Sequence, residues 1–232
     1  MSNPIELVVF DIAGTTVADD GEIALAFQQA MQNYGYTIAV QKINPLMGYK
    51  KPEAIKKMLL EFEADNDKIT DDFVNEIHDQ FLKEMVHFYQ TTEEIKPLPN
   101  ALRVFEELKQ RGIQIGLDTG FGKPITDVIM DRLGWLKNDI VQAVVSSSEV
   151  PEGRPKPYMI NEIMRLTGVT DTTKIIKIGD TEVDVMEGKN AGCLYSIAIT
   201  TGAFTREALE PYEPSFIIND LAELLPIINN VA

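Results

Sequence analysis

Cysteine and long apolar runs are nearly absent from this chain. The single cysteine, Cys193, excludes an internal disulfide and fits a reducing compartment. Residues 1–6 contain no basic segment, and no apolar stretch of roughly 18 residues follows them. We therefore expect a cytoplasmic protein with no signal peptide and no membrane span.

Positive charge is also scarce. The chain has 21 Lys and Arg against 36 Asp and Glu, which gives a net charge of −15. An acidic surface repels polyanions, so neither nucleic acid nor an anionic membrane is expected as a partner. Any phosphate group that the protein binds must be met by local positive features.

The 232 residues, 44% of them hydrophobic, are enough for one α/β domain with a smaller insertion. Short apolar runs alternate with stretches of helical periodicity, which predicts a doubly wound, Rossmann-like parallel sheet with helices on both faces. The predicted strands are residues 5–10, 114–118, 140–145, 174–178, 195–199 and 215–218. The predicted helices between them are residues 100–111, 124–133, 158–166 and 183–191.

Residues 24–90 have a different pattern. This stretch contains no convincing strand, and its large apolar residues recur at near-helical spacing. We predict a helical domain at residues 18–91, inserted into a core formed by residues 1–17 and 92–232.

Polar residues follow the predicted strands where each strand ends. Asp11 follows the first strand, Thr119 the second and Asp180 the fourth, while Arg154 lies in a proline-rich loop after the third. Ligands of such sheets lie beyond the carboxyl ends of the strands. Carboxylates that meet a hydroxyl and a cation there predict a phosphate site with Mg²⁺, which prefers hard oxygen ligands.

Four segments in this order resemble the four motifs of the haloacid dehalogenase superfamily. They are residues 10–16 (FDIAGTT), 119–120 (TG), 153–157 (GRPKP) and 179–184 (GDTEVD). The helical insertion is similar to the α-helical cap of that superfamily, so the resemblance covers essentially the whole chain.

The resemblance implies a catalytic role for several residues. Asp11 would form an aspartyl-phosphate intermediate, with Thr119 and Arg154 as catalytic partners. Mg²⁺ would be held by Asp11, the Ala13 carbonyl and Asp180, with Asp184 in support, directly or through water. The expected substrate is a small phosphorylated or phosphonylated metabolite, bound in part by three further residues: Gly14, Thr15 and Gly120.

Ala13 separates this chain from most phosphatases of the superfamily, which have a second Asp at that position as the general acid. Phosphonoacetaldehyde hydrolases (phosphonatases) have Ala there, and a cap lysine forms a Schiff base with their aldehyde substrate. Lys51, three residues after Gly48, resembles that lysine, and Pro52 predicts the start of a helix through Phe62. A lysine at a helix N-terminus beside a second cation is expected to have a lowered pKa.

Two positions depart from the phosphonatase pattern. Ala54 replaces a histidine that transfers protons, and Phe121 replaces a tyrosine. Lys51 could therefore form an imine or only bind substrate. The alternative functions are a phosphomonoesterase of the phosphoglycolate phosphatase type and a catalytically weak metabolite-binding protein.

The remaining candidates are interpreted as structural. Asp118 and Glu182 are predicted to be solvated acids, and His78 and His87 lack the spacing of metal ligands. Trp135 is predicted to lie in the core, and a homodimer is possible.

Overall fold

The protein, seen here in a computed structural model, is built on one six-stranded sheet. The structure describes residues 5–230. Residues 1–4 and 231–232, at the two ends of the predicted core, lie outside the described part. All neighbouring strands are parallel, in the order β3-β2-β1-β4-β5-β6. This is the strand order of a doubly wound fold that reverses beside β1, which confirms the predicted fold class. The strands are β1 (Leu7–Asp11), β2 (Gln114–Thr119), β3 (Ala143–Ser146), β4 (Ile175–Gly179), β5 (Tyr195–Ile199) and β6 (Phe216–Ile218).

Ten α-helices accompany the sheet within residues 5–230. They are α1 (Glu22–Gln32), α2 (Val40–Ile43), α3 (Lys51–Phe62), α4 (Asp71–Thr91), α5 (Ala101–Gln110), α6 (Lys123–Leu133), α7 (Tyr158–Thr167), α8 (Glu182–Ala191), α9 (Arg206–Leu209) and α10 (Leu224–Asn229). Short 3-10 helices lie at Asn44–Leu46, Asn66–Lys68, Thr172–Lys174, Glu210–Tyr212 and Leu221–Glu223. None of the helices in this part of the chain combines the length and apolar character needed to cross a bilayer.

Both faces of β1 are buried. Val8 and Phe10 belong to the larger apolar cluster, whereas Leu7 and Val9 belong to a second cluster with α7. Successive side chains of a strand point to opposite faces, so a strand between two helical layers must be apolar throughout. This explains why the central strands appear in the sequence as unbroken apolar runs.

The six predicted strands are all present, and one of them begins clearly later than predicted. The sequence predicts a strand at residues 140–141, but these residues form a turn, because their N–H groups donate to the Trp135 carbonyl at 2.8 and 3.2 Å. Trp135 itself is buried, as predicted. The third strand therefore begins only at Ala143.

Helices α1–α4 form the inserted segment, and no strand occurs within residues 24–90, as predicted. Phe27 of α1 stacks on Phe81 of α4 with ring centroids 4.3 Å apart, so this segment has its own buried apolar interior. Phe62 is an exception, because it is the last residue of α3 and keeps 39% of its surface exposed.

The two chain segments that join α1–α4 to the sheet run side by side. The Ala18 N–H donates to the Lys96 carbonyl at 2.9 Å, and the Leu98 N–H donates to the Thr16 carbonyl at 2.9 Å. The division into a core of residues 1–17 and 92–232 and a helical domain of 18–91 stays a prediction.

Candidate active site

Asp11 is the last residue of β1 and has only 4% of its surface exposed. The Arg154 guanidinium forms an ion pair with it, with 2.7 Å between Nη1 and Oδ1. Burial raises the pKa of Asp11 to about 6, although the charge of Arg154 opposes this. The cation therefore favours the carboxylate form that a nucleophile requires.

Arg154 is completely buried among four carboxyl groups. Besides Asp11, it contacts Asp184 at 3.1 Å and Glu187 at 3.1 Å, and it donates a short hydrogen bond to Asp118. A guanidinium has five N–H donors in a fixed plane, which allows one side chain to hold several carboxylates. Arg154 thus orients the acids of three neighbouring elements of the core.

Lys177 is a second buried cation in this cluster. Its amine lies 2.5 Å from Asp118, 3.1 Å from Asp184 and 3.5 Å from Glu187. Although burial acts in the opposite direction, the charges of Arg154 and Lys177 lower the pKa of Asp118. Burial and the charge of Asp118 raise the pKa of Glu187 well above its usual value.

The prediction that Asp118 is a solvated acid was wrong. Its exposed fraction is 0%, because it lies inside the sheet on β2, beside both cations. Lys177 is the signal that could have located it, since a lysine inside the apolar strand β4 requires a buried anion. Glu182 is also buried, with 9% exposed, and it lies against the Tyr49 side chain of the helical segment.

Asp180 follows β4 directly and accepts a hydrogen bond from the Ala203 N–H at 2.7 Å. Its other oxygen accepts from the Thr15 hydroxyl at 3.3 Å. Gly14, with a φ of 84°, lies so close that a Cβ there would be 2.8 Å from the carboxylate. Thr15 and Gly14 therefore position Asp180, while their predicted role in substrate binding stays untested.

Asp184 is the third residue of α8, and its two oxygens have different surroundings. Its Oδ2 accepts from the Thr181 N–H at 3.3 Å and from the Thr181 hydroxyl at 2.5 Å, as in a capping box. Its Oδ1 faces Arg154 and Lys177. The supporting role of Asp184 at a metal, directly or through water, stays a prediction.

The carboxylates fit a divalent cation at Asp11 and Asp180. Asp11, Asp118 and Asp184 have oxygens within 4.8 Å of one another, but the Arg154 guanidinium contacts all three. Burial, followed by the charges of Asp11 and Asp184, raises the pKa of Asp180 well above its usual value. The folded site thus holds more buried acid than its cations neutralise, and bound metal would correct this imbalance.

Thr119 and Gly120 end β2 at the edge of the site. The Thr119 hydroxyl accepts a hydrogen bond from the Phe121 N–H at 3.1 Å, which shapes this turn. A Cβ on Gly120 would lie 2.5 Å from the carbonyl oxygens of Gly48 and Tyr49. Gly120 therefore allows the loop before α3 to approach the core, a packing reason that is independent of substrate.

Lys51 is the first residue of α3 and is buried, with 3% of its surface exposed. Its amine lies 5.0 Å from the centroid of the Phe121 ring and 5.5 Å from that of Phe27. No hydrogen bond or ion pair to this amine occurs within residues 5–230. The amine thus lies beside two aromatic rings.

The pKa of Lys51 is lowered to about 8, chiefly by burial, with a smaller contribution from the charge of Arg154. The direction agrees with the prediction, and Lys51 does begin a helix, but burial is the main cause and the cation that contributes is not the expected one. Lys50, the expected neighbouring cation, points away and donates to the Val150 carbonyl at 3.4 Å.

A small cavity of about 30 Å³ brings these groups together. It is lined by Asp11, Ala13, Thr119 and Asp180 from the core, and by Lys51 from α3. Asp19, from the chain segment leading to α1, lines it as well. A larger groove of about 370 Å³, beside Asp20 and Glu94, is lined by none of these residues.

Comparisons with known proteins agree with this geometry. The model of the haloacid dehalogenase-like hydrolases matches residues 5–192. A phosphonoacetaldehyde hydrolase of Bacteroides fragilis is 30% identical, over 95% of this chain and 87% of its own length. The chain belongs to the haloacid dehalogenase-like hydrolases, in their phosphonatase-like branch.

Two further similarities place this hydrolase among its relatives. It is 32% identical to a bifunctional phosphonoacetaldehyde hydrolase/aminoethylphosphonate transaminase of Clostridioides difficile, over 89% of this chain but only 34% of that protein's length. The crystal structure of a phosphonoacetaldehyde hydrolase-like protein from Oleispira antarctica has the same fold. It has a TM-score of 0.82 at 22% identity and covers 99% of this chain and 93% of that one.

The haloacid dehalogenase-like fold unites most of the sequence-predicted residues in one site. Asp11, Ala13, Thr119, Lys51 and Asp180 line the cavity, whereas Arg154 and Asp184 lie behind it in the buried ion cluster. Four members of the site were missed: Asp19, Asp118, Lys177 and Glu187.

Proposed function

We propose that this hydrolase cleaves the carbon–phosphorus bond of a small phosphonate that carries an aldehyde. The observation that supports this is the buried Lys51 amine, which shares one cavity with the Asp11 carboxylate and has a pKa of about 8. In outline, Lys51 forms an imine with the aldehyde, and Asp11 attacks phosphorus.

An amine must be unprotonated to attack a carbonyl carbon. At pH 7.5, a pKa of about 8 leaves roughly a quarter of the Lys51 amine unprotonated, against about 0.1% at the ordinary value of 10.5. Burial between Phe27 and Phe121 thus supplies a reactive amine at neutral pH.

The Ala13 methyl group supports cleavage of a carbon–phosphorus bond over ester hydrolysis. An ester would release an alkoxide, which requires a general acid worth roughly 10²–10⁴-fold in rate. Ala13 provides none. In the proposed reaction, the electron pair of the C–P bond moves onto carbon and into the protonated imine, giving an enamine without an acid at this position.

The remaining steps need only water. Asp11 becomes an aspartyl-phosphate, which water hydrolyses to the carboxylate and inorganic phosphate. The enamine takes a proton on carbon, and water then releases the aldehyde and the Lys51 amine. Arg154 neutralises the Asp11 carboxylate before attack. Thr119 lines the cavity in which the phosphoryl group would react.

Mg²⁺ is the metal we propose for this site. Asp11, the Ala13 carbonyl oxygen and Asp180 would hold it, with Asp184 in support. When bound, Mg²⁺ supplies positive charge to the phosphoryl oxygens and to the buried carboxylates.

The names of the relatives support the same substrate class, since the matched proteins of Bacteroides fragilis and Clostridioides difficile are described as phosphonoacetaldehyde hydrolases. The test is therefore incubation with phosphonoacetaldehyde and Mg²⁺, followed by borohydride. We expect release of phosphate and a peptide in which Lys51 carries the reduced adduct.

Lys50 provides the matched control, because it precedes Lys51 but donates to the Val150 carbonyl. Lys51→Arg should abolish both the adduct and phosphate release, whereas Lys50→Arg should retain both. Mg²⁺-dependent phosphate release from ordinary esters, with no adduct and no phosphonate turnover, would instead identify a phosphomonoesterase and overturn the proposal.

A further inference from the structure

Asp19 is a cavity residue without a role in the reaction outlined above. It lies in the chain segment between Val17 and α1, and it lines the same cavity as Lys51 and Asp11. Its Oδ1 accepts from the N–H groups of Gly21 at 3.2 Å and Ile23 at 3.4 Å. These two bonds hold the carboxyl group in place at the start of α1.

The surroundings of Asp19 bring its pKa closer to that of the neighbouring Lys51 amine. Burial and the nearby Glu22 carboxyl raise the pKa of Asp19. The charge of Asp19 in turn acts on Lys51 and on the Tyr89 hydroxyl, which faces it from α4. A carboxyl group of raised pKa near an amine of lowered pKa brings the two acidities closer, which makes proton transfer between them less costly.

Imine formation requires such a partner. The Lys51 ammonium must lose a proton before it attacks, and the hydroxyl of the carbinolamine must gain one before it leaves as water. Among the titratable residues that line the cavity, Asp11 is engaged in attack on phosphorus and Asp180 in metal binding. Ala54, three residues after Lys51 in α3, and Phe121, whose ring lies 5.0 Å from the amine, have no proton to give.

We propose that Asp19 carries protons to and from the Lys51 amine while the imine forms and is hydrolysed. This inference rests on the proposed function. The Asp19 carboxylate takes a proton from the Lys51 ammonium, and the free amine bonds to the carbonyl carbon. A proton moves from nitrogen to the carbonyl oxygen, which gives the neutral carbinolamine.

Protonated Asp19 then gives its proton to the carbinolamine hydroxyl. The C–O bond breaks, water leaves, and the nitrogen lone pair forms the protonated imine. The net change is ammonium plus aldehyde to protonated imine plus water, and Asp19 ends as the carboxylate. The same steps in reverse release the product aldehyde.

The test measures the rate at which borohydride traps the Lys51 adduct when phosphonoacetaldehyde is added with Mg²⁺. Asp19→Asn keeps an oxygen for the Gly21 and Ile23 N–H groups but cannot exchange protons. We expect adduct formation to slow by about 100-fold or more. The adduct should still form at long times, because Lys51 remains.

Controls separate a chemical role from a structural one. Asp20→Asn changes the exposed neighbouring acid and should leave the rate unchanged. Asp19→Ala should be slow but should recover with added formate, which a merely structural role would not allow. If Asp19→Asn does not fold, Asp19→Ser offers a non-titrating oxygen acceptor for the same measurement.

The outcomes are distinguishable. Absence of any adduct in the unaltered protein refutes the proposed function, and the role of Asp19 with it. Normal adduct formation in folded Asp19→Asn refutes only the role of Asp19. His78 on α4, whose pKa is lowered by burial and by the charge of Lys51, is a further titratable group near that amine. Loss of rate in His78→Gln, together with a normal rate in Asp19→Asn, would transfer the role to His78.

Discussion

Replacing Lys51 by methionine should stabilise the folded protein at neutral pH while it removes catalysis. Lys51 is buried against Phe27 and Phe121, and its amine has no ion pair within the described residues. Burial of a charge without a partner is unfavourable, whereas a methionine of similar length suits an apolar site. The protein therefore keeps a costly residue at this position.

The lowered pKa gives the size of this effect. The amine has its ordinary value of 10.5 in the unfolded chain and about 8 in the fold. Between these values the unfolded chain binds more protons, so stability rises with pH. The cost of Lys51 is therefore fully present below pH 8 and is lost as the pH rises through 10.5. At pH 7 it amounts to about 3 kcal/mol, and near pH 9.5 to roughly half of that.

Urea unfolding of both proteins at pH 7 and pH 9.5 tests this reasoning. The difference in the free energy of unfolding cancels the titration of all other groups. Lys50→Met is the matched control, since that amine reaches the Val150 carbonyl and should give little or no gain. A Lys51→Met protein that is no more stable at pH 7, or whose advantage persists undiminished at pH 9.5, would refute the argument.

The remaining predictions concern the core. Asp11→Asn should abolish phosphate release while circular dichroism shows an intact fold, because the amide is nearly isosteric but cannot attack phosphorus; retained turnover would contradict its role. Asp180→Ala should weaken Mg²⁺ binding in calorimetric titration, and unchanged affinity would remove it from the metal site. Asp118→Asn should lower the free energy of unfolding by about 3–5 kcal/mol, since two buried cations lose a shared partner. The control Asp127→Asn, in an exposed helical pair, should cost less than about 1 kcal/mol; equal losses would argue against a buried ion cluster. Gly120→Ala should lower kcat/KM by roughly 10- to 100-fold, because its Cβ displaces the loop before α3; unaltered kinetics would show that this close approach is not needed.

Local patterns in the chain explain why the sheet could be predicted. Each central strand is apolar on both faces, so its position is visible as a short run without reference to any other segment. The boundary at residues 140–143 was missed because a turn bonded to Trp135 can carry the same apolar residues as a strand. Periodicity alone does not separate the two.

The residues of the candidate site were likewise predicted only in part from the sequence. Asp11, Thr119 and Asp180 follow strands directly, so parallel strands that share one edge bring them together. Asp118 and Lys177 lie inside strands. In the sequence, Asp118 stands next to Thr119 near the end of β2, and an acid at the end of a strand is usually exposed to solvent. Only the pairing of β2, β1 and β4 makes them neighbours.

By itself, the sequence determined the strands, the helical insertion and the order of the polar residues that end the strands. These features depend on short-range periodicity and on residue type. The tertiary structure decided which acids are buried and what the Lys51 amine contacts. Its pKa is lowered chiefly by burial, to which rings at positions 27 and 121, far away in the chain, contribute, and which no local pattern reveals. Electrostatic desolvation depends on everything packed around a group, and so only the complete fold specifies it.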